Sequence, residues 1–512
     1  MTLAELLASL GDLATARTGD AAALARPVRA IAYDSRRVVP GSVFVAVRGQ
    51  KTDGAAFAVQ ALAKGALAVV AEIPPPEGTT APWATVSDGR AAMARLAAAF
   101  HLWPSREMQV VGITGTNGKT TTAYVLSALF EAAGIRCGML GTVVYRTGAG
   151  ERAATRTTPE AVDIQQMLRE MASGGCGACV MEVSSHALAL RRADDIAFAA
   201  GIFTNLTRDH LDFHRDMESY FAAKRRLFEM LPAGAPAVIN LDDPRGAALA
   251  GIVSRPVTYA VDRQADVTPS GLEQSLRGVA FEARTPAGAV RVRSRLVGRP
   301  NVFNLLAAIA AASSLGIPAA RIEEAIEALD GVPGRFQVVS GAGDDITVVV
   351  DYAHTDDALK NLLETARPLA SQRLITVFGC GGDRDRTKRP LMGAVAARLS
   401  DFVIVTSDNP RSEDPQQIID EIKRGIVVPP DRSRPADPRA PQRYAPRATP
   451  HLAIVDRRLA IERAIEMARA DDVVLLAGKG HEKYQVIGDR ELPFDDVAVA
   501  REALARRRGR AS

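Results

Sequence analysis

The chain has 512 residues, 47% of them hydrophobic and 24% charged, with a formal net charge of +4. That length exceeds what one core supports and suggests about three domains at ~150 residues each, in an ordinary soluble globular composition. Residues 429–450 hold five arginines against two aspartates, so the remainder is near neutral, which argues against a nucleic-acid or anionic-membrane partner.

In chain order, the N-terminus "MTLAELLASLGDL" carries acidic residues and no basic stretch, so no signal peptide is expected. Residues 1–102 mix short strands ("FVAV", "ALAVVAE") with helical stretches ("DGRAAMARLAAAFHLW") and predict a first α/β domain. A second domain, 103–335, opens with "MQVVGIT" and alternates apolar strands such as "CVMEVSS" and "AAGIFTNLT" with amphipathic helices, the pattern of a mainly parallel sheet. "NLLAAIAAASSLGIPAA" is the longest apolar run, and its Asn, Ser and Gly residues speak against a membrane span.

"LDGVPGRFQVV" is a Gly/Pro break before a third domain, 336–512. There "ITVVVDYAH", "RLITVFGCGG", "DFVIVTSDN", "LAIVD" and "VVLLAGKG" read as strands, each of the polar signatures beginning where a strand ends. Ligands of open parallel sheets sit beyond the carboxyl ends of the strands, so Asp351, the 379–384 loop, Asp408 and Gly478 are expected to line one crevice. The Pro/Arg-rich stretch 429–450 reads as an exposed insert, and "RRRGRAS" as a solvated tail. Four cysteines in this length point to a reducing compartment. Cys176 and Cys179 have no second pair, so they are read as packing residues rather than zinc ligands.

The chemistry concentrates in a few stretches. "VVGITGTNGKTTTAYVL" sets a glycine-rich turn between a strand and a helix. The amides of Gly115, Thr116, Asn117, Gly118 and Thr121 are expected to cradle phosphates. Lys119 would reach the outer phosphates and the Thr120 hydroxyl would ligate Mg²⁺. The spacing departs from the common G-x-x-x-x-G-K-[ST], because position 113 is Ile. "VMEVSSHAL" and "TNLTRDHLDFH" follow strands, and Glu182 and His210 are candidate ligands for a phosphate-bound magnesium. Zinc held by His210 and His214 is an alternative, although no Cys or further His cluster completes it. "TSDNPRSEDP" is compatible with plain turn chemistry, but its place at a strand end favours a binding role.

"GTNGKTT", "MEVSSHAL", "TNLTRDHLDFH", "GRPNVFNLLAA", "PGRF" and "DYAHT", occurring in this order over nearly the whole chain, resemble the Mur ligases, ATP-dependent amide-forming enzymes of peptidoglycan synthesis. "AYDSRRVVPGSVFVAVRGQKTDG", "GCGGDRDRTKRPLM", "DNPR" and "GKGHE" narrow the resemblance to the UDP-N-acetylmuramoyl-tripeptide synthetases. It implies three domains: an N-terminal α/β substrate domain, a central P-loop-like ATPase domain with a mainly parallel sheet, and a C-terminal Rossmann-like α/β domain.

By that resemblance Ser35, Gln50, Lys51 and Thr52 grip the UDP end of the substrate, and Thr157, Thr158, Ser184 and Arg192 hold the muramoyl dipeptide. Leu190 stands where some members carry glutamine. Lys224 is implied to be carbamylated by CO₂, giving a fourth magnesium ligand beside Thr120, Glu182 and His210. This needs a neutral amine, hence a pKa below about 10.4. Asn301, Asn304, Arg335 and Asp351 are implied nucleotide-binding residues. Asp408, Asn409, Pro410 and Arg411, with Arg384, Gly478 and Glu482, are implied to bind meso-diaminopimelate, Arg411 clamping its distal carboxylate and Glu482 its distal ammonium.

The implied reaction activates the D-glutamyl γ-carboxylate as an acyl phosphate, which the diaminopimelate amine then attacks. Lys119, Glu182, His210, Lys224 and Arg335 form the catalytic set, and the last third is expected to close on the centre. The enzyme is expected to be cytoplasmic and monomeric, with no nucleic-acid or membrane partner. The rivals are the lysine-adding ligases, against which Arg411 argues, the folylpolyglutamate synthetases, and a nucleotide-binding regulatory protein without ligase chemistry.

Overall fold

The apolar runs become strands of parallel sheets in the computed structural model, which describes residues 1–49, 52–211, 213–341, 343–426 and 449–511. Gln50, Lys51 and nearly all of the 429–450 insert lie outside the described residues. Contacts divide the chain into two units, Met1–Ser270 with Glu282–Arg291 and Phe303–Ile326, and Gly271–Phe281 with Val292–Val302 and Glu327–Ser512.

The first unit holds two sheets. Strands β1 (Ala14–Thr18), β2 (Ala30–Ala32), β3 (Ser42–Ala46), β4 (Ala68–Ala71) and β5 (Trp83–Val86) align in the order β1-β5-β4-β3-β2. Only β1 runs antiparallel. The second sheet comprises β6 (Gln109–Thr114), β7 (Cys137–Leu140), β8 (Val144–Thr147), β9 (Gly150–Ala153), β10 (Ala178–Glu182), β11 (Phe198–Phe203), β12 (Ala237–Asn240) and β13 (Pro256–Tyr259). Its order is β13-β12-β11-β6-β10-β7-β8-β9, parallel from β13 to β7 and closed by an antiparallel meander.

Val110, Val111 and Ile113 on β6 and Val180 and Met181 on β10 are inaccessible, as expected of parallel strands covered on both faces. The central strands β11, β6 and β10 lie side by side, so Phe203, Thr114 and Glu182 end together at one edge. A smaller sheet follows from β14 (Thr268–Ser275), β15 (Gly278–Thr285) and β16 (Gly288–Ser294).

In the second unit β17 (Gln337–Val338), β18 (Thr347–Asp351), β19 (Leu374–Phe378), β20 (Phe402–Thr406), β21 (His451–Ile454) and β22 (Val473–Ala477) form one sheet. Its order is β17-β18-β22-β19-β20-β21, with β17 alone antiparallel. The last strand in sequence is thus inserted between the first two parallel ones, and chain reversal at such a point opens a crevice at the carboxyl ends. A hairpin of β23 (Tyr484–Ile487) and β24 (Arg490–Pro493) follows.

The Arg-rich end is helical rather than a solvated tail. The helix Asp496–Ala511 buries Val497, Val499, Ala500 and Leu504, and its arginines pair outward, Arg506 with Glu462 at 2.6 Å and Arg507 with Asp345 at 2.7 Å. All four cysteines are buried and free, among them Cys176 and Cys179, which were read as packing residues. Among the described residues no helix is long and apolar enough to cross a membrane.

Candidate active site

The loop after β6 is shaped by two glycines. Gly115 and Gly118 have φ of 148° and 87°, a region closed to most side chains. A Cβ on Gly115 would also run into Thr204, and one on Gly118 into the Asn304 amide. The turn delivers the chain into the helix Lys119–Ala132, whose first residues Thr120, Thr121 and Thr122 are buried. Lys119 folds back, its ammonium donating to the carbonyls of Gly115 and Thr116 at 2.9 and 2.8 Å. Asn117 is held by its N–H donating to Asn205 Oδ1 at 2.9 Å. Asn304 Oδ1 accepts from Thr122 at 3.4 Å, fixing it against the same helix. The loop is therefore held in one shape at the start of the helix, where backbone N–H groups are free of intrahelical partners.

Lys224 lies on the helix Met217–Glu229 and is 1% exposed. Its Nζ donates to the Gly115 carbonyl at 2.7 Å and sits 4.6 Å from the Tyr220 ring centroid. Burial, reinforced by the charge of Lys119, pushes its amine well below the ordinary lysine range. Glu182, equally buried, accepts from the Thr142 N–H at 2.8 Å and from its hydroxyl at 3.0 Å. His210, at φ 54°, packs its ring edge-on against His186 at 4.8 Å. His214 turns to the Ser185 hydroxyl at 2.9 Å. Among the described residues no group of three or more His, Cys, Asp or Glu side chains is placed to hold a metal ion.

Thr157, Thr158, Ser184 and Arg192 come together beside β10. Thr158 Oγ1 donates to the Glu182 carbonyl at 2.8 Å and accepts from the Ser184 N–H at 3.1 Å. Thr157 meets Thr142 at 3.1 Å. Arg192 donates to the Thr158 carbonyl at 3.1 Å and pairs with buried Glu160 at 2.7 Å. Ser35 is engaged locally with Gln60 at 3.0 Å, and Thr52 is exposed. Leu190 ends the short helix Ser185–Ala189, which Ser184 caps.

Sequence reasoning missed Tyr33 and Arg37, which reach Asp163 at 2.6 and 3.4 Å. They wall a cavity of about 480 Å³ with Arg156 and Glu160. Tyr33 and Arg37 flank Ser35 in the chain, and Arg156 and Glu160 flank Thr158, which was the available signal.

In the second unit Asp351 ends β18, its carboxylate accepting from the Phe336 and Ala353 N–H groups at 2.6 and 2.8 Å. Burial raises its pKa against the pull of Arg335. The Arg335 guanidinium lies 4.8 Å from the Tyr352 ring centroid, and Asn301 donates to the Val297 carbonyl at 2.8 Å.

The loops after β18, β22, β19 and β20 meet at the strand ends, where the Gly478 N–H donates to the Asp351 carbonyl at 3.0 Å. Gly381 and Gly382 approach the "DNPR" loop so closely that Arg411 Nη1 donates to the Gly382 carbonyl at 2.7 Å and Gly382 N–H to the Asn409 carbonyl at 2.9 Å. Arg411 itself has φ 52°. A Cβ on Gly478 would lie 3.0 Å from Asp408 Oδ2. Asp408, Asn409 and Pro410 are buried. Asn409 Nδ2 donates to Glu482 Oε2 at 2.9 Å, whereas Arg384 is exposed.

Arg389, fully buried, knots this edge by pairing with Glu413 at 2.9 Å and Glu421 at 2.8 Å and donating to the Gly381 carbonyl. Neither Arg389 nor Lys479 was singled out from sequence, although a lysine flanked by two glycines at a strand end was visible in "GKGHE".

Three family descriptions match in chain order: Mur ligase family, catalytic domain over 27–101, Mur ligase middle domain over 113–312, and Mur ligase, glutamate ligase domain over 334–480. The chain belongs to the Mur ligase family. It is 48% identical over 494 residues to a UDP-N-acetylmuramoyl-L-alanyl-D-glutamate--2,6-diaminopimelate ligase of Geobacter metallireducens, covering 94% of this chain and 96% of that one. To the enzyme of the same name from Gloeobacter violaceus it is 45% identical over 511 residues, covering 100% and 99%. A solved structure of such a ligase superposes with a TM-score of 0.69 at 34% identity, covering 99% of both chains. As a Mur ligase the chain has the mixed α/β, three-domain architecture expected of it.

Proposed function

We infer that this Mur ligase joins meso-2,6-diaminopimelate to the D-glutamyl γ-carboxylate of UDP-N-acetylmuramoyl-L-alanyl-D-glutamate, with ATP converted to ADP and phosphate. The observation that carries the reading is the strand-end pocket in which Asp408, Asn409, Arg411 and Glu482 converge. A γ-carboxylate oxygen attacks the ATP γ-phosphorus and ADP leaves. The free amine of diaminopimelate then attacks the acyl carbon, inorganic phosphate leaves, and the ammonium proton is lost to solvent.

The residues act mainly by position and charge. The 115–121 loop orients the triphosphate through backbone amides, and Lys119 exchanges its two carbonyl partners for phosphate oxygens. Asn301, Asn304, Arg335 and Asp351 complete nucleotide binding, Arg335 offsetting phosphate charge. Thr157, Thr158, Ser184 and Arg192 set the dipeptide beside Glu182, and Ser35 with the 50–52 loop takes the uridine end.

Mg²⁺ fits this donor set, because a buried threonine hydroxyl and a buried carboxylate are hard oxygen ligands. Thr120, Glu182, His210 and carbamylated Lys224 would hold it, and it would neutralise charge on the transferring phosphoryl group. Carbamylation is supported by the buried Lys224 amine, whose depressed pKa supplies the neutral nucleophile that CO₂ requires. The domains are 1–102, 103–335 and 336–512, and the enzyme acts as a cytoplasmic monomer.

Arg411 carries the choice of amino acid. It matches a distal carboxylate bidentately, and lysine, lacking that group, leaves a guanidinium unmatched. The test is phosphate release with ATP, Mg²⁺ and UDP-N-acetylmuramoyl-L-alanyl-D-glutamate, comparing meso-diaminopimelate with L-lysine. Turnover confined to diaminopimelate is expected. Preference for lysine would overturn the role of Arg411, and no turnover with either would overturn the ligase assignment.

A further inference from the structure

Lys479 is one of the most deeply buried charged side chains of the second unit, 0% exposed, and its ammonium hydrogen-bonds Asp408, Asn409 and Glu482, all in loops at the strand ends. Nζ lies 3.3 Å from Asp408 Oδ1, 3.0 Å from Asn409 Oδ1 and 3.2 Å from Glu482 Oε2. The first two belong to the loop after β20 and the third to the loop after β22, so one cation ties two loops. Its flanking residues hold it there. Gly478 and Gly480 have φ of 115° and 53°, and a Cβ on Gly480 would lie 2.6 Å from that of Tyr352. The turn is therefore limited to glycine on both sides and directs the lysine inward.

The hairpin closes the arrangement from outside. Gln485 donates to the Asp408 carbonyl at 2.6 Å and the Val486 N–H to Asn409 Oδ1 at 2.9 Å. Asn409 is thereby held at both ends of its amide: the oxygen accepts from Lys479 and Val486, and the nitrogen donates to Glu482.

We propose that Lys479 is a positioning residue for the amino-acid substrate, its ammonium holding Asp408, Asn409 and Glu482 in one cluster that keeps a net negative charge for the incoming distal ammonium. The charge follows from two carboxylates against one ammonium, since the neighbouring Arg457 is committed to Asp496 at 2.6 Å, both fully buried. The inference rests on reading this pocket as the diaminopimelate site.

The groups facing Glu482 define how loss of Lys479 would be seen. Lys479 and Asn409 favour its ionised form, Asp408 opposes it, Tyr352 and Tyr484 lie nearby, and Arg457 adds a more distant positive charge. Burial already raises its pKa. Removing the Lys479 charge leaves two buried carboxylates unshielded from one another, so Glu482 takes up its proton at higher pH.

The test is Lys479→Met, which keeps length and removes charge, compared with Lys479→Arg, in steady-state kinetics on the full enzyme. For Lys479→Met the KM for diaminopimelate is expected to rise about tenfold or more, the loss associated with one buried charged partner. The KM values for ATP and the nucleotide-sugar dipeptide should stay within about twofold, and the acid limb of kcat/KM for diaminopimelate should move to higher pH. Lys479→Arg should restore most of the affinity and the original acid limb. Because Lys479 does not read the distal carboxylate, the ratio of diaminopimelate to lysine turnover should not change, unlike in Arg411 variants.

A KM for diaminopimelate unchanged in Lys479→Met, or an acid limb that stays in place while KM rises, overturns the inference. So does a chain that folds with neither substitution, which would make Lys479 a residue of fold stability. Absence of diaminopimelate turnover in the unsubstituted enzyme is a failure of the proposed function, seen before any substitution is made.

Discussion

Two lysines, one in each unit, are removed from water to the same degree and sit in opposite surroundings. Lys224 is 1% exposed and hydrogen-bonds a neutral carbonyl, with the positive Lys119 nearby. Lys479 is 0% exposed and touches two carboxylates and an amide oxygen. Burying an ammonium without a counter-charge favours the free amine, whereas burying it among carboxylates makes it part of an ion cluster. The first arrangement favours the neutral amine that the proposed carbamylation requires, and the second the tie between loops proposed for Lys479. Burial alone says nothing of a lysine's role; what lies within about 3 Å decides it.

The largest effect that would break this contrast is at Lys224. Arginine cannot be carbamylated and methionine cannot ligate a metal, so Lys224→Arg and Lys224→Met should each lose about 10³-fold or more in kcat, ~4 kcal/mol of transition-state stabilisation. Activity of the unsubstituted enzyme should fall in CO₂-depleted buffer and return with bicarbonate. The stability sign runs the other way. A lysine whose folded pKa is depressed binds its proton more readily when unfolded, so stability is reduced below the folded pKa and regained as pH rises toward about 10.4. Lys224→Met should therefore not lower the melting temperature at neutral pH. A Lys224→Arg enzyme with ordinary turnover would remove the basis for the carbamate.

This contrast also marks what could be read before the fold was known. Glycines in "GTNGKT" advertise a backbone site, because Gly115 and Gly118 occupy φ values that other residues avoid, and such a constraint is local in sequence. The parallel sheets were legible from apolar run lengths, and the nearness of Asp351, Asp408 and Gly478 followed from strand ends alone.

Cross-loop chemistry was not legible in that way. Lys479 is 70 residues from Asn409 and 71 from Asp408, and although Glu482 is only three residues away, nothing in composition pairs the lysine with the "DNPR" loop. Lys224 likewise looks like an ordinary helix lysine in sequence, and only packing against Tyr220 and the Gly115 carbonyl makes it unusual. The "RRRGRAS" end was read as solvated because its acidic partners, Asp345 and Glu462, come from other elements.

A smaller effect separates reading from scaffolding within the pocket itself. Arg411→Ala should raise the KM for diaminopimelate about 10²-fold, the loss of a charge-assisted bidentate contact, and should narrow its advantage over lysine by a similar factor. Arg411→Lys keeps the charge but not the fork and should recover only part of the discrimination. If selectivity survived Arg411→Ala, the distal carboxylate would have to be read by Arg384, the other arginine expected at this pocket.

The smallest expected effect is the pH dependence of the unsubstituted pocket. Glu482 is raised above the ordinary carboxylate range, first by burial and then by Asp408, with Lys479 pulling in the other direction. Asp408 shows the reverse outcome: burial pushes it up, but Lys479 and Arg457 pull it down further, so it stays ionised to lower pH. On acidification Glu482 therefore gains its proton first, and the pocket loses the charge that faces the distal ammonium. The KM for diaminopimelate should rise several-fold on the acid side, tenfold for each pH unit once below that pKa. The KM for ATP should not follow, because Glu482 takes no part in the phosphate cradle. An acid limb of the same shape for both substrates would mean that a shared step titrates, and Glu482→Gln, fixed in the neutral form, would then leave the limb unchanged instead of abolishing it.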